Sequence, residues 1–433
     1  VFRRGEWATA PESQHTPVAV VEQVVAQVRK AVQVFKRDVD MEWVYDGRDV
    51  FIVQMRDITS ISQVDVYSSR ISKDMLPGMI KPLVWSLNVP MLNTVIVGFL
   101  TELTGKNDLD PLAFAKPFYY RAYFNMTLLG KALSRLGLPS ETLDMMMGVA
   151  PGGMSMPNMR MHGRMVLLTP RLLSVLWDKL RFHKKMDAEL PQIEAQLATF
   201  TPQRAAQMSD AEIIAELDRL YRLTQRVAYL NLVGPLLMLV YNYLLNRRLK
   251  DAGVDPQAFD LMHGIDQLCA FQPGHHLRNL NAQFMALDEP VRQQIIHSTF
   301  PAFLRMQGLE SFQHNVRAFL ERFGHLSDSG NDISVACWRE TPELIKDLLV
   351  SQTPAEQKPS NMTRLEDVPQ NGPGGILLRF LHRRARRYRL YREHVSFVYT
   401  KTYGTFRPYW LALGERLVQR GILRERDDVF YLY

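Results

Sequence analysis

From about Thr59 to the C-terminus, apolar side chains recur at spacings of three and four almost without interruption, which restricts the chain to a mainly helical fold. The spacing predicts helices over 118–136, 170–183, 187–199, 210–245, 289–300, 309–323 and 343–349, then two closing helices over 377–403 and 405–421. Val20, Val24, Val28, Val32 and Phe35 mark an earlier helix beginning near Pro17. One exception stands out. Residues 40–45 and 50–54 are rich in β-formers and flank Asp46-Gly47, the signature of a hairpin, so strands are expected chiefly within 40–56. No fixed repeat runs through the chain, which argues against a helical solenoid.

Two stretches, 82–100 and 227–245, are apolar and nearly long enough to cross a bilayer. Each carries polar breaks: Asn88, Pro90 and Asn93 in the first, Asn231, Pro235 and Asn242 in the second. An asparagine in hydrocarbon needs a buried partner, whereas a soluble core or a ligand pocket accommodates it, so both stretches read as buried helices. Hydrophobic residues make up 46% and charged residues 22%, a globular balance and not a disordered one. Cys269 and Cys337 are too few for a disulfide framework, in keeping with a cytoplasmic location.

The net charge of +7 is concentrated in Arg379, Arg383, Arg384, Arg386, Arg387, Arg389 and Arg392. Such a run is able to meet nucleic acid or an anionic membrane surface. Interleaved with Leu378, Leu381, Tyr388 and Tyr391, it reads instead as the solvated face of an amphipathic helix. His275-His276 after Pro273-Gly274 reads as a turn or cap, because adjacent histidines do not readily chelate one metal from a helix.

The densest polar constellation is 324–332. His325 there is a candidate general base for a hydroxyl, with Asp328 and Asp332 to orient it or to hold a metal. The same serines, aspartates and Asn331 would equally well cap a helix and close a turn. Met145, Met146, Met147, Met154, Met156, Met159, Met161 and Met165 form a flexible, polarisable patch, suited either to an adaptable apolar pocket or to irregular core filling.

Three segments, in order, carry a family resemblance. Asp40-Met41-Glu42-Trp43 followed by Gln54-Met55-Arg56-Asp57-Ile58-Thr59 resembles the end of the ATP-grasp nucleotide-binding domain of phosphoenolpyruvate-utilising enzymes. Phe323-Gly324-His325-Leu326-Ser327-Asp328, continued by Asn331-Asp332 and Trp338-Arg339-Glu340-Thr341-Pro342, resembles a signature in the helical substrate domain of rifampicin phosphotransferases. Leu413-Gly414-Glu415-Arg416-Leu417 through Asp427-Asp428-Val429-Phe430-Tyr431-Leu432 is similar to the stretch before the mobile phosphohistidine domain. Leu326 stands where the family pattern has arginine, and Asp57 where it usually has proline.

The resemblance implies an ATP-dependent phosphotransferase, of the kind related to phosphoenolpyruvate synthase. An ATP-grasp domain phosphorylates a histidine on a swivelling domain, which carries the phosphoryl group to a third site. It implies that residues 1–60 are the C-terminal end of the ATP-grasp domain and 61–350 a helical substrate-binding domain. Residues 351–376 would be a linker, and 377–433 closing helices leading toward a phosphohistidine domain outside this chain. Glu42 and Gln54 would then serve Mg²⁺, and with Arg56 the ATP phosphates, in the complete enzyme. On spacing alone Glu42 and Arg56 also read as a solvated cross-strand pair. This chain by itself is expected to bind neither ATP nor Mg²⁺ tightly and to be inactive. Its partners would be the ATP-grasp and phosphohistidine domains, in the same chain or another, and a bulky apolar hydroxyl compound. Tyr119, Arg121, Tyr123 and Asn125 resemble a helix of the family and would line the acceptor cavity with Met156 and the 145–165 segment. His325 would be accessible at the mouth of that cavity. The alternative is a non-catalytic binding or scaffold module descended from the same family.

Overall fold

The computed structural model describes residues 2–3, 6–7, 17–35, 39–57, 65–70, 72, 76, 78–105, 110–135, 163–262, 266–351, 362–368 and 372–432. The chain divides into two compact units, 1–66 and 67–433.

In the first unit, Phe2–Arg3 (β1) and Glu6–Trp7 (β2) pair briefly. Helix Val18–Phe35 (α1) precedes the expected hairpin, Val39–Tyr45 (β3) and Val50–Asp57 (β4), paired antiparallel. Its turn follows from the sequence. Asp46 Oδ1 accepts from the backbone N–H groups of Arg48 and Asp49, each at 2.8 Å, and Gly47 takes a φ of +99° that a side chain would oppose.

The second unit is mainly helical, as the spacing predicts. Its long members are Pro82–Thr104 (α2), Gly163–Leu197 (α4), Asp210–Asp251 (α5) and Gly372–Gln419 (α10). Between them come Met126–Arg135 (α3), Pro273–Met285 (α6), Glu289–His297 (α7), Glu310–Phe323 (α8) and Pro342–Ser351 (α9). A small antiparallel sheet of Tyr67–Ser68 (β5), Ala115–Phe118 (β6) and Arg121–Asn125 (β7) adds strands beyond the hairpin.

The main core lies along α5 and α10. Leu223, Val227, Leu230 and Leu245 from one meet Leu381, Ala385, Val395, Val398 and Phe406 from the other, and Tyr241 stacks on Tyr388 at 5.1 Å. A second core joins α6 to α9 through Phe284, Phe312, Val316 and Ile345. Ser209 caps α5 in a reciprocal box with Glu212. Arg416 of α10 and Arg420 just beyond its end clamp Asp210 in the first turn of α5, at 2.7 and 2.6 Å, and hold its carboxyl below its ordinary value.

Expectations change in three places, the closing segment, the 170–199 stretch and the arginine run. The closing segment is one helix, not two: Gly404 and Pro408 both lie inside α10. Likewise the helices expected over 170–183 and 187–199 are one, α4, which ends at Leu197 and has Pro170 and Pro191 inside it. Both α2 and α5 are long and apolar enough to cross a membrane, yet Val84, Met91, Val227 and Leu230 are buried in the main core. In α10 the arginines are less free than a solvated face implies. Arg379 and Arg383 are exposed, but the other five are half-buried; Arg387 is bonded to Asp187 and Tyr391, and Arg384 lies over Phe380.

Candidate functional site

The hairpin register brings Glu42 directly opposite Gln54, and Asp40 opposite Arg56, so all four side chains emerge from one exposed face. Arg56 Nε donates to Asp40 at 2.8 Å, and its guanidinium lies 3.5 Å from Glu42, so the cation is already neutralised twice. Glu42, Gln54 and Arg56 are thus together, as the resemblance requires; Ile58 and Thr59 of the same segment lie outside the described residues.

The segment 119–125 is not helical. It is a two-residue turn and a strand, with Phe118 opposite Arg121 and both Tyr119 and Tyr120 at positive φ, 51° and 59°. In a strand the side chains alternate, so the residues expected to line a pocket face elsewhere. Tyr119 and Arg121 are exposed, and Tyr123 packs edge-on to Phe118. Asn125 is buried and accepts from the Leu128 N–H to start α3. The inward residues are Ala122 and Phe124. They do border a cavity, together with Asn331 of the loop, Asn88, Tyr399 and Tyr403. Asn88 donates to the Asn331 carbonyl at 3.2 Å, and the two tyrosine hydroxyls meet at 3.0 Å. This cavity, of about 20 Å³, holds roughly one water and no bulky acceptor. Met156 and the methionines from 145 to 161 lie outside the described residues.

His325 is the main correction. Its side chain is buried, 8% exposed, edge-on to Phe397 at 5.1 Å, and it borders neither this cavity nor any cleft described below. Neither ring nitrogen has a hydrogen-bond partner; the Arg322 carbonyl favours the charged ring slightly but is not aligned to accept. Burial first, then the nearby Lys401 and Arg339 cations, pushes the imidazole down to about 3, so it is neutral and inaccessible near neutrality. Asp328 instead accepts from the Trp338 indole at 3.3 Å, and Asp332 accepts from the Ser334 N–H and hydroxyl at 2.8 and 2.7 Å. They close turns and do not orient the histidine. Among the described residues no cluster of three or more His, Cys, Asp or Glu is placed to hold a metal.

Because the ring is protonated more readily in the unfolded chain, stability should be complete above its ordinary value of 6.5 and fall as pH drops toward about 3. His325→Leu is expected to change stability at pH 7 by no more than about 1.5 kcal/mol, since volume is nearly conserved and no hydrogen bond is lost. It should also flatten the decline between those pH values, which urea melts across the range would measure. An unchanged decline would show that the imidazole is not the titrating group.

A residue not anticipated from the sequence organises the region. Arg407, 4% exposed on α10, reaches Glu340 at 2.7 Å, Asp427 at 3.1 Å and the Ile333 carbonyl at 3.2 Å, and lies 5.3 Å from the Phe430 ring. The second and third resemblance segments therefore meet on one buried cation. A charge at a stripe position of an otherwise apolar helix face, four residues after Tyr403, was its signal in the sequence.

Comparison with protein-family models and with curated proteins gives no match to this chain.

Proposed function

We propose that the chain supplies the acceptor-binding helical region, and the closing hairpin of the nucleotide-binding domain, of an ATP-dependent phosphotransferase that works through a phosphohistidine. The observation that best supports this reading is the hairpin register, which gathers Glu42, Gln54 and Arg56 on one open face. A carboxylate and an amide oxygen suit Mg²⁺, and a guanidinium suits the transferring phosphoryl group. Arg56 would have to exchange its present carboxylate partners for phosphate oxygens. Convergence of the other two segments on Arg407 supports reading them as one structural knot of the helical region, not as a source of protons.

The alternative, a non-catalytic binding or scaffold module of the same descent, gains support from the buried His325 and from Leu326 in place of an arginine. One assay separates them. The chain is combined with ATP-grasp and phosphohistidine modules, fused or separate, and incubated with radiolabelled ATP and Mg²⁺. Phosphotransferase function predicts labelled phosphoprotein, an at least 100-fold loss (an order-of-magnitude expectation) on Arg56→Gln, and no label on this chain alone. Unchanged labelling in the Arg56 variant would sink the assignment.

A further inference from the structure

A cleft of about 420 Å³ opens between α4, α10 and the turn Asp266–Phe271. Its walls are mostly apolar, from Met186, Leu190, Pro191, Phe271 and Leu390. It lies close to the expected site. Phe271 stacks on His394 with ring centres 4.5 Å apart and lies 5.8 Å from the ring centre of Phe397, the same ring that His325 packs against. The histidine that lines this cleft is His394, which shares the neighbour Phe397 with His325 through Phe271.

His394 is half-buried in the cleft wall, with Nε2 3.1 Å from Glu194, within ion-pair distance although not aligned as a hydrogen bond. The neighbouring His394, ahead of the opposing effect of burial, holds the Glu194 carboxyl below its ordinary value, and Lys401 and Arg322 add to this. An ionised carboxylate beside Nε2 selects the tautomer with the proton there, which leaves Nδ1 as an acceptor. A ligand that satisfies Nδ1 must bring a donor. It need not bring a charge, because Asp187 at the other end is already bonded to Arg387 and Tyr391.

We propose that this cleft binds a planar, apolar, uncharged compound carrying a hydroxyl, which donates its hydrogen bond to His394 as positioned by Glu194. Its volume and lining suit a two- or three-ring molecule. The identification of this compound as the phosphoryl acceptor rests on the function proposed above; its binding does not.

The test uses the 433-residue chain and 2-naphthol, followed by fluorescence, with 2-methoxynaphthalene as the partner lacking a donor. Saturable binding of 2-naphthol, about tenfold tighter than the methyl ether, is expected. His394→Phe keeps the ring against Phe271 and should abolish that preference, both probes binding alike. Ala270→Trp should fill the cleft and remove binding of both, with circular dichroism confirming the fold. Failure of 2-naphthol to saturate the wild-type chain, undiminished binding in Ala270→Trp, or a preference that survives in a folded His394→Phe overturns the proposal. If binding behaves as expected while phosphoprotein never forms, the cleft stands and the phosphotransferase reading falls; the reverse pattern removes the cleft alone.

Discussion

Arg407→Met should lower the stability of the helical unit by about 3 kcal/mol, near the lower end of what breaking a buried ion pair costs. The side chain is almost fully buried and holds two carboxylates and a carbonyl, from two separate segments. Methionine fills much of the volume but leaves Glu340 and Asp427 facing each other's charge without a cation. The loss is placed at the lower end because both carboxylates retain partial contact with solvent. Burial alone would raise Glu340, but the Arg407 hydrogen bond and charge outweigh it and hold its carboxyl below the ordinary value of 4.5. A carboxyl depressed in the fold stabilises above its ordinary value and loses that contribution as pH falls through the folded one. The penalty of Arg407→Met should therefore be largest at pH 7 and shrink on acidification below 4.5, as Glu340 becomes protonated first in the variant and then, at its lowered folded value, in the wild type. Urea melts of the two proteins at pH 7 and near pH 3.5 measure the difference. A penalty that stays constant with pH would assign the loss to packing and not to the ion pair.

What the sequence discloses divides by the kind of physics involved. The helical class, the hairpin and its turn were legible because period and turn chemistry are local: Asp46-Gly47 makes the same turn whatever surrounds it. Helix ends were less so. Gly404 and Pro408 look like breaks, yet tertiary packing along α5 carries α10 through both. At 121–125 the segment is a strand and not a helix, and Tyr119, Arg121, Tyr123 and Asn125 do not border the cavity, which Ala122 and Phe124 line instead. The buried state of His325 had no local signal at all. A histidine in a Gly-His-x-Ser-Asp turn is equally compatible with exposure, and only its packing against Phe397 and α10 decides its charge. His394 has no local signal either, because the cleft it lines is built from α4, α10 and the Asp266–Phe271 turn, far apart in sequence.

Gly414→Ala isolates another contact that no local rule reveals. In an exposed helix interior this change stabilises by up to about 1 kcal/mol, through the lower backbone entropy of the unfolded alanine. Gly130 in α3, with nothing within 4 Å of its added Cβ, should behave that way. At Gly414 the added Cβ would lie 2.2 Å from the Arg426 carbonyl oxygen and 3.2 Å from Val429 Cβ. The obstacle is backbone, and it belongs to the turn Arg426–Tyr431, whose Val429 and Phe430 are buried in the main core. That turn retreats only by drawing Phe430 away from Arg407, so relief at one contact spends the other. Overpacking of this kind costs about 1–3 kcal/mol or more, which outweighs the gain in helix propensity, and a net loss of about 2 kcal/mol is expected. Because both changes loosen the same turn, the Arg407→Met/Gly414→Ala double variant should lose less than the sum of the two single losses. Paired urea melts of the four proteins, with Gly130→Ala as the control, give the result. A Gly414→Ala chain as stable as the wild type would mean that α10 and the C-terminal turn are not in close backbone contact. Strict additivity would mean that Arg407 and Gly414 do not act through a common turn.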